Sequence, residues 1–213
     1  MIYTELSCCD KDASNDDVRE ALFYAMKKKI SGIVISQNSI PDIKDLAVGI
    51  ELVSQIDFPL GNMDTGLRQH AAVSAARKGA TCLNVMVSSF FVANKQFDKL
   101  AEDFKTIKAI CDEYHMKIRA MIDYRILTNN DLLFLCDIIS RCDIDTIYPA
   151  THAIPDDVED SIIIANVVSN YSKLHVIVNP NIWQKQHYTK ILNSGIHGVQ
   201  FRNIESAKTV FGV

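Results

Sequence analysis

Short apolar runs alternate with amphipathic stretches along the whole chain. Runs rich in Val, Ile and Leu predict strands at Ile2–Leu6, Gly32–Ser36, Glu51–Asp57, Cys82–Val87, Lys117–Asp123, Thr146–Tyr148, His175–Val178 and Gly198–Phe201. Most are apolar on both faces, as a buried parallel sheet requires, because other elements cover each face. Apolar residues at helical spacing predict helices between them, over Asn15–Lys29, Ile40–Ala47, Thr65–Lys78, Gln96–Tyr114, Asn129–Arg141, Pro155–Asn170, Gln184–Ser194 and Glu205–Val210. Several ends carry their own signals. Ser14 with Asp17 forms a capping-box pattern, and Asp64-Thr65 suits a helix start. Pro155 with Asp156 and Asp157 fits a first helical turn, and Gly79 and Gly195 fall just past helix ends.

Eight strands, each followed by a helix, with no linker, repeat or low-complexity stretch, predict an α/β fold. The expected architecture is one (β/α)8 TIM barrel, a single domain over residues 1–213. An open doubly wound sheet is the rival, but no glycine-rich fingerprint follows the first strand. The length, 213 residues with 48% hydrophobic, suffices for one barrel core. A formal charge of −4 gives no reason to expect nucleic acid. Lys27-Lys28-Lys29 closes a helix, where cations suit the macrodipole. The six cysteines form no CxxC pair, and Cys82, Cys111 and Cys136 read as buried free thiols. Neither a signal pattern nor a membrane-length apolar run occurs, so a cytoplasmic protein with no membrane partner is expected.

A barrel builds its site from strand C-termini and the loops after them. Those positions offer Ser7, Gln37 with Asn38, Asp57, Ser88 with Ser89, Asp123 with Arg125, Tyr148 with His152, Asn179 with Asn181, and Arg202 with Asn203. Inside the strands, Asn84 and Arg119 are polar among apolar neighbours, so each needs a buried partner or the lumen. A histidine beside an aspartate makes a usable general base near neutral pH, which singles out His152 with Asp123 and Tyr148. No cofactor is called for, and no ligand spacing fits a metal.

Ile56-Asp57-Phe58-Pro59-Leu60-Gly61 resembles the strand-and-loop motif of deoxyribose-phosphate aldolases. Ala75-Ala76-Arg77-Lys78-Gly79-Ala80, Leu127-Thr128-Asn129-Asn130-Asp131 and Asp143-Ile144-Asp145-Thr146-Ile147-Tyr148 resemble further steps of that family in the same order. The resemblance implies a class I aldolase, commonly self-associating, that cleaves 2-deoxyribose 5-phosphate through a lysine imine. Such chemistry needs a nucleophilic amine, a nearby cation to lower its pKa, and an acid/base group.

The matching positions differ. Where the family carries its imine-forming lysine, this chain has Tyr148, and a phenol forms no imine. The tuning lysine aligns with Ile177 and the relay aspartate with Asn84. The phosphate-binding Ser-Gly-Gly turn aligns with Asn179-Pro180-Asn181, where proline removes an amide. Arg202 suits a phosphate or carboxylate, as its planar fork pairs with either.

Three readings follow. The first is an aldolase-like barrel without imine chemistry, inactive or repurposed, binding a small ligand such as a sugar phosphate or carboxylate, or serving a structural role. The second is an enzyme or lyase on a sugar phosphate or small carbonyl, working through Tyr148, His152, Asp123 and Asn84, with Asp57, Arg125, Asn179, Asn181 and Arg202 binding substrate. The third, an aldolase with a relocated lysine, finds no lysine at a strand C-terminus.

Overall fold

The computed structural model describes residues 2–10, 12–151, 153–154 and 156–213. Eight strands close into a barrel in chain order: β1 (Tyr3–Cys8), β2 (Gly32–Ile35), β3 (Glu51–Ile56), β4 (Cys82–Met86), β5 (Lys117–Met121), β6 (Thr146–Tyr148), β7 (His175–Val178) and β8 (Gly198–Phe201). Every pairing is parallel. Closure sets Glu5 of β1 beside Gly32 of β2 on one side and Gln200 of β8 on the other. Around the barrel lie α1 (Asn15–Lys28), α2 (Ile40–Ile43), α3 (Thr65–Lys78), α4 (Ser89–Ala93), α5 (Phe97–Glu113), α6 (Asn129–Arg141), α7 (Val158–Tyr171), α8 (Lys185–Asn193) and α9 (Ile204–Phe211).

Successive side chains on a strand point to opposite faces. On β4, Leu83 and Val85 join the large core between sheet and helices, whereas Cys82 and Met86 belong to separate clusters inside the barrel. Asn84 shares the parity of Cys82 and Met86 and so faces the lumen. One lumen cluster packs Met86, Met121, Tyr148 and Ile177 against Tyr3 and Phe58. The other is Val34, Val53 and Cys82. The six cysteines are free, and Cys82, Cys111 and Cys136 are buried.

The capping chemistry read from the sequence organises several helix ends. Ser14 and Asp17 form a reciprocal capping box on α1, and Asp64 caps α3 by accepting from the Gly66 amide. Gly79 and Gly195 adopt the left-handed conformation after α3 and α8.

Several elements differ from the sequence expectation, and β1 for one runs to Cys8 rather than Leu6. α2 ends at Ile43 rather than Ala47, because the chain turns there toward Gly49, which has a φ of 76°. α7 begins at Val158: Asp157 caps it by accepting from the Asp160 amide, so it does not belong to a first turn with Asp156. Pro155 lies outside the described residues. β5 ends at Met121, and Asp123 instead caps a 3-10 turn, Tyr124–Ile126. The five-residue helix α4 went unpredicted, being too short to show a period, although Ser88 caps it.

Gly61 anchors the loop after β3. Its amide donates to the Asp57 carbonyl (2.9 Å), and its own carbonyl accepts from the Ser89 amide (3.0 Å). Its φ is 65°, and a Cβ there would meet the Val87 carbonyl oxygen at 2.2 Å. Gly61→Ala is therefore expected to lose about 3 kcal/mol or more, combining left-handed strain with a backbone clash that no rotamer relieves. A denaturant titration that shifts by less than 1 kcal/mol would contradict this packing.

Candidate functional site

The barrel interior is occupied by a charged network, and this decides what position 148 does. Glu5, fully buried on β1, accepts from four donors. These are the Tyr3 hydroxyl (3.1 Å), Arg119 Nη1 (2.8 Å), the Tyr148 hydroxyl (2.6 Å) and Gln200 Nε2 (2.6 Å). A carboxylate offers about four lone-pair positions, so this one is saturated. Arg119 also pairs with Glu51 of β3, which pairs with Lys117 and shares the single Tyr3 hydroxyl proton with Glu5, its Oε2 lying 2.9 Å from that oxygen. The Arg119 guanidinium lies over the Tyr3 ring, 4.6 Å from its centroid.

Tyr148 is thus a donor into a buried carboxylate. Burial, and then the Glu5 charge, hold its hydroxyl far above the ordinary phenol range, so it keeps its proton. Glu51 behaves oppositely. Burial alone would raise its pKa, but Arg119, with Lys117 and Tyr3, outweighs burial and holds the carboxyl below its usual range. Lys117, the one lysine in a strand among the described residues, opens β5 at the end of the barrel away from the mouth.

The remaining sequence candidates separate into committed and uncommitted groups. Asp57 accepts from the amides of Asn62 and Met63 (both 3.0 Å) and from Arg68 Nη1 (2.8 Å), which fixes the loop after β3. Asp123 accepts from the Arg125 amide (3.2 Å) and Thr151 Oγ1 (3.4 Å). Arg125 pairs with Asp156 and donates to the Ile154 carbonyl (3.0 Å). Asp123 and Arg125 therefore share one turn, while the Tyr148 hydroxyl belongs to the lumen network. His152 lies outside the described residues. Arg202 is exposed. Asn84 is fully buried with neither side-chain oxygen nor nitrogen bonded, and Asn179 donates to the Ala150 carbonyl (3.1 Å) while its buried Oδ1 has no partner.

Some of the backbone donors near the mouth are already committed. Pro180 has no N–H, and the Asn181 amide donates to the Asp156 carbonyl at 2.9 Å. At the start of α9, the Asn203 amide donates to Ser206 Oγ (3.2 Å) and the Ser206 amide to Asn203 Oδ1 (2.9 Å), a closed capping box.

Two concavities open at this end. A groove of about 680 Å³ is lined by Ser36, Gln37, Asn38, Gln55, Phe58 and Asn62 among others. A smaller pocket of about 220 Å³ lies between the loop after β1 and α9, and its lining includes Asp10, Asp12, Asp17 and Glu20. Among the described residues no group of three or more His, Cys, Asp or Glu is placed to hold a metal ion. No helix among them is long and apolar enough to cross a membrane.

Sequence reasoning did not single out Glu5, Glu51 or Gln200. A signal was present: Glu5 lies in a strand on the same face as Tyr3 and Ser7, and Glu51 and Gln55 share one face of β3. Paired charges on facing strands compensate only in three dimensions, so no spacing along the chain announces them.

A closed eight-stranded parallel barrel with its polar loops at strand C-termini defines an α/β (β/α)8 protein. No protein-family model matches the chain. Deoxyribose-phosphate aldolases of Streptococcus pyogenes (strain MGAS10750) and Streptococcus agalactiae (strain NEM316) are each 26% identical over 102 residues, 48% of this chain and 45% of theirs. The chain thus spans about half the length of the curated relatives it matches. Among solved structures, deoxyribose phosphate aldolase from Aeropyrum pernix superposes with a TM-score of 0.85 at 18% identity, covering 97% of this chain and 87% of that one. The carboxyl transferase domain of Rhizobium etli pyruvate carboxylase also superposes, with a TM-score of 0.70 at 9% identity over 93% of this chain and 39% of that one. The barrel alone therefore carries no chemistry. The chain is thus similar to deoxyribose-phosphate aldolases in sequence over about half its length and in fold over nearly all of it.

Proposed function

We propose that this barrel has left imine chemistry and holds a small ligand at its C-terminal mouth. The observation that carries the reading is the Tyr148 hydroxyl, 2.6 Å from the buried Glu5 carboxylate at the position where the family resemblance places the amine. Imine formation needs an uncharged amine facing a carbonyl. Here that position supplies a protonated phenol turned into a saturated ion network. Ile177, at the position of the tuning cation, packs against Tyr148 in an apolar cluster. The unbonded side-chain amide of Asn84 and the unbonded Oδ1 of Asn179 support a retained binding role, because buried polar groups ordinarily find partners.

Incubation with 2-deoxyribose 5-phosphate and borohydride is expected to leave the mass of every lysine-containing peptide unchanged, with no acetaldehyde released in a coupled assay. A reduced adduct on any lysine would overturn the reading.

A second reading, acid–base catalysis at the mouth through His152 and Asp123, draws on the bond between Asp123 and Thr151, which ties the loop after β6 to the end of β5. Turnover of a small carbonyl compound without a trapped adduct, abolished by Asp123→Asn, would favour it over the binding role.

A further inference from the structure

We infer that the ligand of this mouth is uncharged and rich in hydroxyls, an unphosphorylated sugar or a similar polyol. The inference rests on the ligand-binding reading above and narrows it. Three independent features point the same way.

The first is that several donors suited to a phosphate are already used. An anion is held best by free backbone N–H groups at a turn or helix start. In the turn after β7 one such group is replaced by Pro180, and the Asn181 amide is spent on the Asp156 carbonyl. At α9 the Asn203 and Ser206 amides are closed on each other's side chains. Arg68 and Arg125 are paired with Asp57, Asp103 and Asp156.

The second is the local field. The pocket beside α9 is lined by Asp10, Asp12, Asp17 and Glu20, with no described basic residue in its lining. Glu20 is paired with Lys208 (3.4 Å), which leaves Asp10, Asp12 and Asp17 of this wall, with Arg202 exposed beside the pocket residue Asn203. Like charges gathered on one wall disfavour a dianionic phosphate ester.

The third is what remains unbonded. Asn84 has both side-chain polar atoms free, Asn179 has its Oδ1 free, and Gln55 makes only a long contact from Nε2 to Met121 Sδ (3.9 Å). Gln55 lines the mouth groove and sits beside Asn84 in the strand register. Carboxamides donate and accept at once, which matches hydroxyl groups that do the same. In the same groove Asp57 is consumed by three bonds, so its polar lining is effectively neutral, with the Phe58 ring as an apolar wall. Neutral amides beside an aromatic face suit a polyol rather than an ester dianion.

Calorimetric titration with 2-deoxyribose and with 2-deoxyribose 5-phosphate tests this directly. The unphosphorylated sugar is expected to bind at least tenfold more tightly. Gln55→Leu is expected to weaken sugar binding about tenfold while leaving the melting temperature of the free protein nearly unchanged, since Gln55 lines the groove and its side chain makes only the long contact to Met121 Sδ. A double neutralisation, Asp12→Asn with Glu20→Gln, should strengthen binding of the phosphate compound and leave the free sugar unaffected. Tighter binding of the phosphorylated sugar would overturn this inference alone and leave the ligand-binding reading standing. Silence toward both compounds would overturn the two together. Unchanged sugar affinity in Gln55→Leu would overturn the assignment of the sugar to this groove.

Discussion

Arg119→Met is expected to destabilise the barrel by about 3–5 kcal/mol at neutral pH, because it strands two carboxylates that share one guanidinium. For a chain of this length that corresponds to a fall in Tm of roughly 10 °C or more. Methionine preserves much of the volume, so the loss reports charge rather than a cavity. The pH dependence should also change. In the native chain Glu51 is held below its reference value of 4.5, so it stabilises the fold above that value and the contribution is lost as pH falls through the lower folded pKa. Without Arg119 its largest depressing influence is gone and burial, which raises the pKa, gains weight. The folded variant then takes up protons more readily, and its stability should rise as pH falls from 7 toward 5. Thermal melts across that range decide the matter. A loss under 1 kcal/mol, or a variant whose stability stays flat between pH 7 and 5, would show that the network is not what holds the lumen.

Arg68→Leu should have an effect of similar size at a different place. Arg68 is fully buried on α3 and joins three elements. It bonds Asp57 in the loop after β3 (2.8 Å) and the Met86 carbonyl at the end of β4 (2.7 Å), and pairs with Asp103 on α5 (3.0 Å). Removing it leaves two buried carboxylates and a carbonyl without their partner, again about 3–5 kcal/mol. Beyond the global loss, the loop from Asp57 to Asp64 should become the first site cut in limited proteolysis, since Asp57 would then hold it through the Asn62 and Met63 amides alone. If the variant melts within a few degrees of the native chain and the loop stays protected, Arg68 is not the clamp described.

The fold was legible in the sequence because its signal is local. Runs such as Gly32–Ile35 and His175–Val178 are apolar on both faces, and caps such as Ser14 and Asp64 act within four residues of the ends they fix. The departures came from short-range detail, such as the turn at Gly49 that ends α2 and the local caps made by Asp123 and Asp157, and in one case from a tertiary partner. Asp156 was placed in a helical first turn by its neighbours, but it is drawn inward by Arg125, Tyr124 and Ser161. The candidate site was legible only as a set of positions. The sequence marks Arg119 as a charge needing a partner; it does not mark Glu5, 114 residues away, as that partner. Tyr148 was recognisable as a substitution at a reactive position, while the direction of its hydroxyl depends on a strand at the other end of the chain.

The saturation of Glu5 has a consequence for how this lineage changes over time. A lysine arriving at position 148 would meet a carboxylate already arranged to receive a proton donor, and would be held there as an ammonium ion rather than a nucleophile. Freeing that amine would require Glu5 to be lost, which would leave Arg119 short of its buried partner; losing Arg119 first would strand Glu5 and Glu51 instead. Each single step crosses a state with an uncompensated buried charge, so on the reading proposed above the departure works as a ratchet. Reversion would need several substitutions at once, and the residues that bar it are ones that keep the barrel folded.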